Sequence, residues 1–540
     1  MKKYLALFLA LAMTLGVFAG CTKTETPAGT GGDQQKAEPV LYMSGAPLDE
    51  ANSRFRALDI SNNYVSPLIW DTLLDYDVEK AEYVPTLAEK YEWNEDNTVL
   101  TITLKDAKWH DGKPVVAKDV VTTTKLLALE NGYGEELKGF EAFVNGETED
   151  FAGVIEKDEK TVVFELVSPS YKFHEDLANA NWSILPDHIF GGMSHADALI
   201  ADYWVKPIGT GPYMIKDVNY PNYITLTRYD DYHTGKAGIK DVVVNIYADT
   251  DAEVAAMMAG KLHFLANKNE TDIKTILGAN SHAKMLTNEA SFTKMLQFNL
   301  SDHKDARDDL KNVKIRQALS MIIDRQAVVD YVGAQASLAT TYHTFNHNPD
   351  IPEWKRNLEE GKKLLQDEGF DFSKPLRIYS SVQDQLSIDI LDIIVASLKE
   401  AGVEATVNAD KPNASTILYE TLDFDLYYGS INGVDGAGTY YLFDSTSTYY
   451  TKWYTDALNK SNAERYGTLV KKAAATPDEE EQDAINDQLQ IMATEDCFCI
   501  PIWHRGSIWA MDERFTGFDS ISDDWKACAL IDTTTWKLVD

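Results

Sequence analysis

The sequence predicts an α/β protein, and three stretches carry that expectation. Leu376–Tyr379 reads as a strand, Leu391, Ile394, Val395 and Leu398 recur at helical spacing before Gly402, and Val403–Val407 reads as a second strand. Strand, helix and strand in that order imply a right-handed parallel crossover. Upstream, Ile315, Ala318, Leu319, Ile322 and Ile323 recur at i, i+3, i+4, i+7 and i+8, which buries one helix face. The first third is more antiparallel in character. Thr98–Leu104, Thr161–Leu166 and Tyr223–Arg228 behave as half-buried strands, the last following the turn signal Pro221-Asn222. Between Tyr64 and Leu74, the clustering of Val65, Leu68, Ile69, Trp70 and Leu73 predicts a helix. No internal repeat is visible in the sequence.

At the amino terminus, Lys2 and Lys3 precede an apolar run from Tyr4 to Phe18, the pattern of an export signal over residues 1–20. The run is short for a bilayer crossing, which takes about 20 residues. It stops at Phe18-Ala19-Gly20-Cys21, which resembles the bacterial lipobox, with Phe18 where leucine is usual. That resemblance implies lipidation of Cys21 and attachment to the extracytoplasmic face of the cell membrane, with two or more acyl chains giving a stable anchor. A secreted protein cut at a simple signal-peptidase site is the alternative. Residues 21–38 then read as a lipidated cysteine and a flexible tether, with almost nothing to bury.

The roughly 500 residues that remain, at about 100–200 per domain, predict two to four units with sizeable cores. Charged residues make up 25% of the 540-residue chain and the formal net charge is −35, so nucleic acid and anionic lipid are poor partners. The field favours a cationic ligand or one with a free amine. Of the cysteines past Cys21, Cys497 and Cys499 sit two apart and face one side of a strand, so they do not bridge each other. Either pairs with Cys528 or stays a buried thiol. A metal site built from both with His504 fits no common zinc spacing. Catalytic motifs are missing too: there is no Gly-x-Ser-x-Gly elbow or Walker loop, and His174-Glu175 lacks the second histidine of a zinc helix. The expectation is a protein with no catalytic residues, metal site or cofactor.

Four segments carry a family resemblance. They are Tyr83–Trp93 with Leu104–Pro114 and Ala117–Val120; Pro207–Tyr213 with Arg228–Tyr232 and Gly235-Lys236; Phe298-Asn299 with Val313–Arg325; and Leu364–Phe370. In order and spacing they resemble the family 5 extracellular solute-binding proteins, the dipeptide, oligopeptide and nickel receptors of bacterial ABC importers. The resemblance implies a two-lobed, periplasmic-binding-protein type II-like α/β fold with an additional small domain, closing by hinge motion. It places lobe I at 38–77, 205–298 and 500–540, the small domain at 78–204 and lobe II at 299–499. Hinge crossings are expected near Gln297–Asn299 and Ile500–Trp503. The motifs themselves read as scaffold: Trp109-His-Asp-Gly112 as a turn needing glycine, Gly209-Thr-Gly-Pro212 as a tight strand entry, Arg325 as a carbonyl cap or ion-pair partner, and His110 as a hydrogen-bonded histidine.

Peptide-binding members of that family hold the ligand's amino group in a loop resembling Gly-Trp-x-x-Asp-x-x-Asp-Pro. The corresponding stretch, Phe424–Gly436, departs from it. Counting from Gly429 puts Gly433 at the amine position, and counting back from Asp435 puts Asn432 there. Neither is an anion, so Asp435 becomes the candidate for the amine. Ser44-Gly45-Ala46 matches the segment whose backbone pairs with ligand in dipeptide-binding relatives. Tyr428 and Tyr440, with Tyr427, Tyr441 and Trp453, supply aromatic groups nearby. The implied partners are a short peptide and an ABC permease with its ATPase subunits, the receptor itself being a monomer. Nickel chelate, haem, oligosaccharide or a signalling peptide are the alternative cargoes on the same fold.

Overall fold

A computed structural model describes residues 38–45, 65–77, 82–131, 133–170, 173–179, 182–219, 221–266, 270–287, 292–334, 336–342, 350–381, 384–409, 413–432, 451–476, 479–506, 508–518 and 532–539. The export signal, Cys21, the tether and Cys528 lie outside them.

The first strand among the described residues is β1 (Val40–Gly45), in which Leu41 and Met43 are buried and Tyr42 is exposed. The helix expected over 64–74 is a single turn, Ser66–Ile69, opened by Pro67. Its end has a tertiary cause. The Asp71 amide donates to Thr210 Oγ1 at 3.1 Å instead of to a helical carbonyl, and Trp70 is already extended. A hairpin of β2 (Leu74–Asp77) and β3 (Glu82–Pro85) follows. Strands β4 (Ala88–Trp93), β5 (Val99–Leu104), β6 (Val154–Asp158) and β7 (Thr161–Glu165) form a separate antiparallel sheet in the order β4-β5-β7-β6. Leu100, Ile102 and Leu104 of β5 point into its core with Trp109, Phe164 and Trp182, as the alternation predicts.

The next run holds β8 (Tyr213–Asn219), β9 (Tyr223–Arg228), β10 (Asp241–Ile246), β11 (Phe264–Leu265) and β12 (Ala283–Thr287). It continues with β13 (Phe292–Phe298), β14 (Ala336–Leu338), β15 (Leu376–Tyr379), β16 (Ala405–Asn408) and β17 (Leu426–Asn432). The chain closes with β18 (Cys499–Arg505), β19 (Ile508–Asp512) and a short pair, β20 (Phe515–Thr516) and β21 (Lys537–Leu538). Two large mixed sheets result, ordered β12-β19-β11-β1-β10-β9-β8 and β14-β18-β13-β17-β15-β16. The predicted strand–helix–strand unit is present: β15 and β16 pair in parallel across the helix Gln385–Glu400, which stops where Gly402 takes φ +82°.

The passage between these sheets differs from expectation. Gln297 and Phe298 lie within β13, and Ile500–Trp503 within β18, where both strands are hydrogen-bonded into the second sheet. A paired segment leaves no free backbone torsion for a hinge. The last pair of the first sheet on these strands is Thr287–Ile508 and the first pair of the second is Phe292–Arg505.

The family motifs act as joints. Gly112 takes φ +83° in its turn. His110 accepts from the Gly209 amide through Nδ1 and meets the Gly211 carbonyl through Nε2, each at 3.0 Å. Burial lowers its pKa, with the Gly211 carbonyl acting the other way, so both ring nitrogens serve a neutral imidazole. Arg316 is buried and caps the carbonyls of Leu310, Lys311, Asp496 and Cys497, while Arg325 caps those of Ala339, Pro501 and Trp354. A Cβ on Gly209 would fall 1.7 Å from the Ile69 carbonyl oxygen, whereas one on Gly112 meets nothing within 4 Å. We expect G209A to cost roughly 3 kcal/mol through this backbone clash, and G112A only about 1–2 kcal/mol through its left-handed backbone. Urea midpoints of the two variants measure the difference, and equal losses would contradict the close approach.

Asp75 sets a pH dependence. It is buried, accepts only from the Tyr76 amide at 2.8 Å through Oδ1, and its Oδ2 has no hydrogen-bond partner among the described residues. Burial, with Asp71 and Asp77 nearby, pushes its pKa from 3.8 to about 8. Between those values the folded state keeps a proton that the unfolded chain has lost, so this group lowers stability as pH rises through the window. D75N removes that proton. We expect its stability relative to the parent to grow between pH 5 and pH 8.5, by on the order of 1–3 kcal/mol, read from urea titrations at both pH values. A constant difference would show that Asp75 is already ionised at pH 5 in the fold.

Candidate ligand-binding site

The registers place both sequence-predicted segments at the crossing ends of their sheets. In the first sheet, β12 ends at Thr287 opposite Ile508 and β11 pairs Leu265 with Ala510. Met43 lies beside Phe264, so Ser44 and Gly45 finish β1 at that same end, paired with Asn245 and Ile246 of β10. In the second sheet, Phe292 pairs with Asn432 on one side and with Arg505 on the other, which brings the end of β17 to the crossing.

β17 has an open flank there. Its β13 side is paired along all seven residues, but parallel β15 meets it only at Ile378–Leu426 and Tyr379–Tyr427. From Tyr428 to Asn432, no described strand occupies the β15 side. The open flank lies past the carboxyl end of β15, the region where α/β sheets bind ligands. Gly429 fits this surface for a local reason: a Cβ would fall 2.5 Å from the Tyr427 ring, which lies back along the strand.

The individual side chains divide sharply. Ser44 is buried and its hydroxyl donates to the Glu253 carboxylate, so its side chain is committed to the scaffold. Tyr428 is 1% exposed and its hydroxyl accepts from Trp503 Nε1 at 3.1 Å. Burial raises its pKa. It packs as a core tyrosine. Tyr427, on the opposite face, is half-buried, stacks on Tyr379 at 6.0 Å and 24°, and meets the edge of Trp453 at 5.6 Å. Trp453 is itself core, its Nε1 donating to the Leu418 carbonyl at 2.8 Å. Asn432 is the last residue of β17. Ala46, Asp435, Tyr440 and Tyr441 lie outside the described residues.

Two cations at the crossing went unnoticed in the sequence. Lys294 stands in β13 opposite Ser430 and Trp503, and Arg505 ends β18. Lys294 Nζ donates to Ser430 Oγ at 3.2 Å and sits 5.9 Å from the Tyr428 ring centroid. Burial, together with the positive charge of Arg505, brings the lysine pKa down to about 8, while Asp384 acts in the opposite sense. The available signal was a lone lysine inside the apolar run Phe292–Phe298.

Cys497 and Cys499, the described cysteines, are buried. Cys497 sits in a turn at φ +47° before β18, so the expected common strand face with Cys499 does not arise. Both thiols are free and buried, and burial pushes the pKa of Cys497 up to about 12. His504 Nδ1 lies 2.9 Å from Thr293 Oγ1, whose hydroxyl donates to the Tyr342 carbonyl. No group of three or more His, Cys, Asp or Glu arranged to hold a metal occurs among the described residues. A surface hollow of about 890 Å³ opens beside Lys304 and Lys374 at the far end of the second sheet. Its principal charges are neutralised internally by the pairs Arg377–Asp425 and Arg307–Asp309, and it is remote from the crossing.

Two mixed sheets joined by a double crossing, with an open strand flank at the junction, define a two-lobed solute receptor. The chain belongs to the bacterial extracellular solute-binding proteins, family 5, whose profile matches residues 82–453. The oligopeptide-binding protein AppA of Bacillus subtilis is 26% identical over 424 residues, covering 74% of each chain. In fold, the chain is similar to the solved AppA of B. subtilis in complex with a nonapeptide, at a TM-score of 0.70, 21% identity and coverage of 93% and 99%. It is also similar to the ABC transporter substrate-binding protein CtaP of Listeria monocytogenes, at 0.75, 22% and coverage of 94% and 100%. Members of this family are extracytoplasmic solute-binding proteins rather than enzymes. No described helix is long and apolar enough to cross a membrane.

Proposed function

We propose that this chain captures short peptides between its two lobes and delivers them to an ABC permease driven by its ATPase subunits. The observation that carries the reading is the open flank of β17 from Tyr428 to Asn432 at the crossing. An extended peptide adds to such a flank through main-chain hydrogen bonds, which supply affinity without demanding one sequence. Ser44 and Gly45, at the facing end of β1, offer a second backbone segment. The peptide-binding relative AppA supports the same cargo. Cys21 anchors the receptor by lipid on the extracytoplasmic face, the receptor acts as a monomer, and Asp435 receives the peptide's amino group.

Calorimetry of the full-length protein in detergent tests the reading with di- to octapeptides, their N-acetylated forms, nickel–histidine and oligosaccharides. Free peptides are expected to bind, and D435A to weaken them by about 2–5 kcal/mol through loss of a buried charge pair. Binding of nickel–histidine or sugar alone would overturn the peptide cargo. Unchanged peptide affinity in D435A would remove that residue from the amine site.

A further inference from the structure

We infer that Lys294 and Arg505 form an anion subsite at the crossing end of the second sheet, so that the cargo presents a carboxylate there. This rests on the peptide reading and narrows it. The chain carries 85 acidic residues against 50 lysines and arginines, so the field that Lys294 and Arg505 sit in is negative overall. Among the described residues, no carboxylate lies in ion-pair reach of Lys294 or Arg505, and the guanidinium of Arg505 makes no hydrogen bond.

The surroundings supply only partial compensation. The half-buried ammonium of Lys294 has three donors, and the hydroxyl of Ser430 takes one. Tyr428 offers its ring face from β17. Asp384, at the start of the helix Gln385–Glu400, is the acid that acts on Lys294, but its carboxylate already accepts from the amide and the hydroxyl of Ser387, each at 2.9 Å. Arg505 is exposed and stands opposite Phe292, two residues along β13 from Lys294, so its charge acts on the partly desolvated ammonium and an anion between them would relieve the repulsion. A carboxylate between them gains charge-assisted hydrogen bonds from both. Its position beside Ser430 puts it against the open flank of β17, where an extended peptide would lie. The negative field of the whole chain favours cationic ligands, and this pair reverses that preference locally.

The carboxylate has two possible sources on a peptide, its carboxyl terminus or an acidic side chain. The test is calorimetry of the full-length protein and its K294Q/R505Q variant with four hexapeptide probes: neutral with a free carboxyl terminus, neutral and amidated, amidated with one glutamate, and amidated with one lysine. Circular dichroism melts confirm that the variant is folded. We expect the parent to bind carboxylate-bearing probes roughly tenfold to a hundredfold tighter than the neutral amidated one, and the variant to lose that margin. A margin for the free terminus assigns that source, and a margin for the glutamate probe assigns the side chain. Equal binding of all four probes by parent and variant would overturn the subsite and leave the peptide reading standing. Where no peptide binds, thermal stabilisation by citrate of the parent but not the variant would uphold the subsite and sink the peptide reading; stabilisation of neither would overturn both.

Discussion

The architecture depends on a two-strand ribbon that changes sheets. β12 and β19 pair in one sheet, β13 and β18 in the other, and the pairing changes sheets between Thr287–Ile508 and Phe292–Arg505. Within each sheet, paired backbone resists bending, so rotation of one lobe against the other concentrates at that change, as in hinge closure around ligands. Both candidate backbone segments end at this crossing.

A second constraint makes the first effective. The turn carrying Trp109 and His110 is fastened to the elements around the first sheet by interlocking contacts. His110 holds the backbone of Gly209 and Gly211, and Tyr229 reaches the Trp109 carbonyl at 3.1 Å. Gly209 approaches Ile69 too closely for any side chain. The second lobe has its own internal brace, since Arg316 and Arg325 tie helices to β18 through carbonyls separated widely in sequence. Motif residues that look chemically active, His110 and the two arginines among them, thus hold shapes rather than ligands.

Local patterns were legible in the sequence and pairings across long separations were not. Alternation placed β5, β7 and β9, helical spacing placed Val313–Ile322, and Gly402 marked the end of its helix. The helix expected over 64–74 was lost to Thr210, 139 residues away, which takes the amide that would have extended it. Tyr427 and Tyr428 are neighbours with opposite fates because successive strand residues face opposite sides, and nothing local says which side is core. Lys294 and Arg505 become a pair only once β13 and β18 are placed side by side. The expected crossings missed by several residues for the same reason: sheet membership is decided by the partner strand.

The most direct test of the central claim is a distance across the ribbon. Asp217 on β8 and Val407 on β16 are exposed and belong to different sheets. Both described cysteines are buried, so spin labels on D217C and V407C in a Cys528→Ser background report the separation of the lobes by pulsed dipolar spectroscopy. A hinge at the ribbon predicts that saturating peptide shifts the distance distribution and narrows it. A distribution that stays the same with and without bound peptide would contradict closure about the crossing.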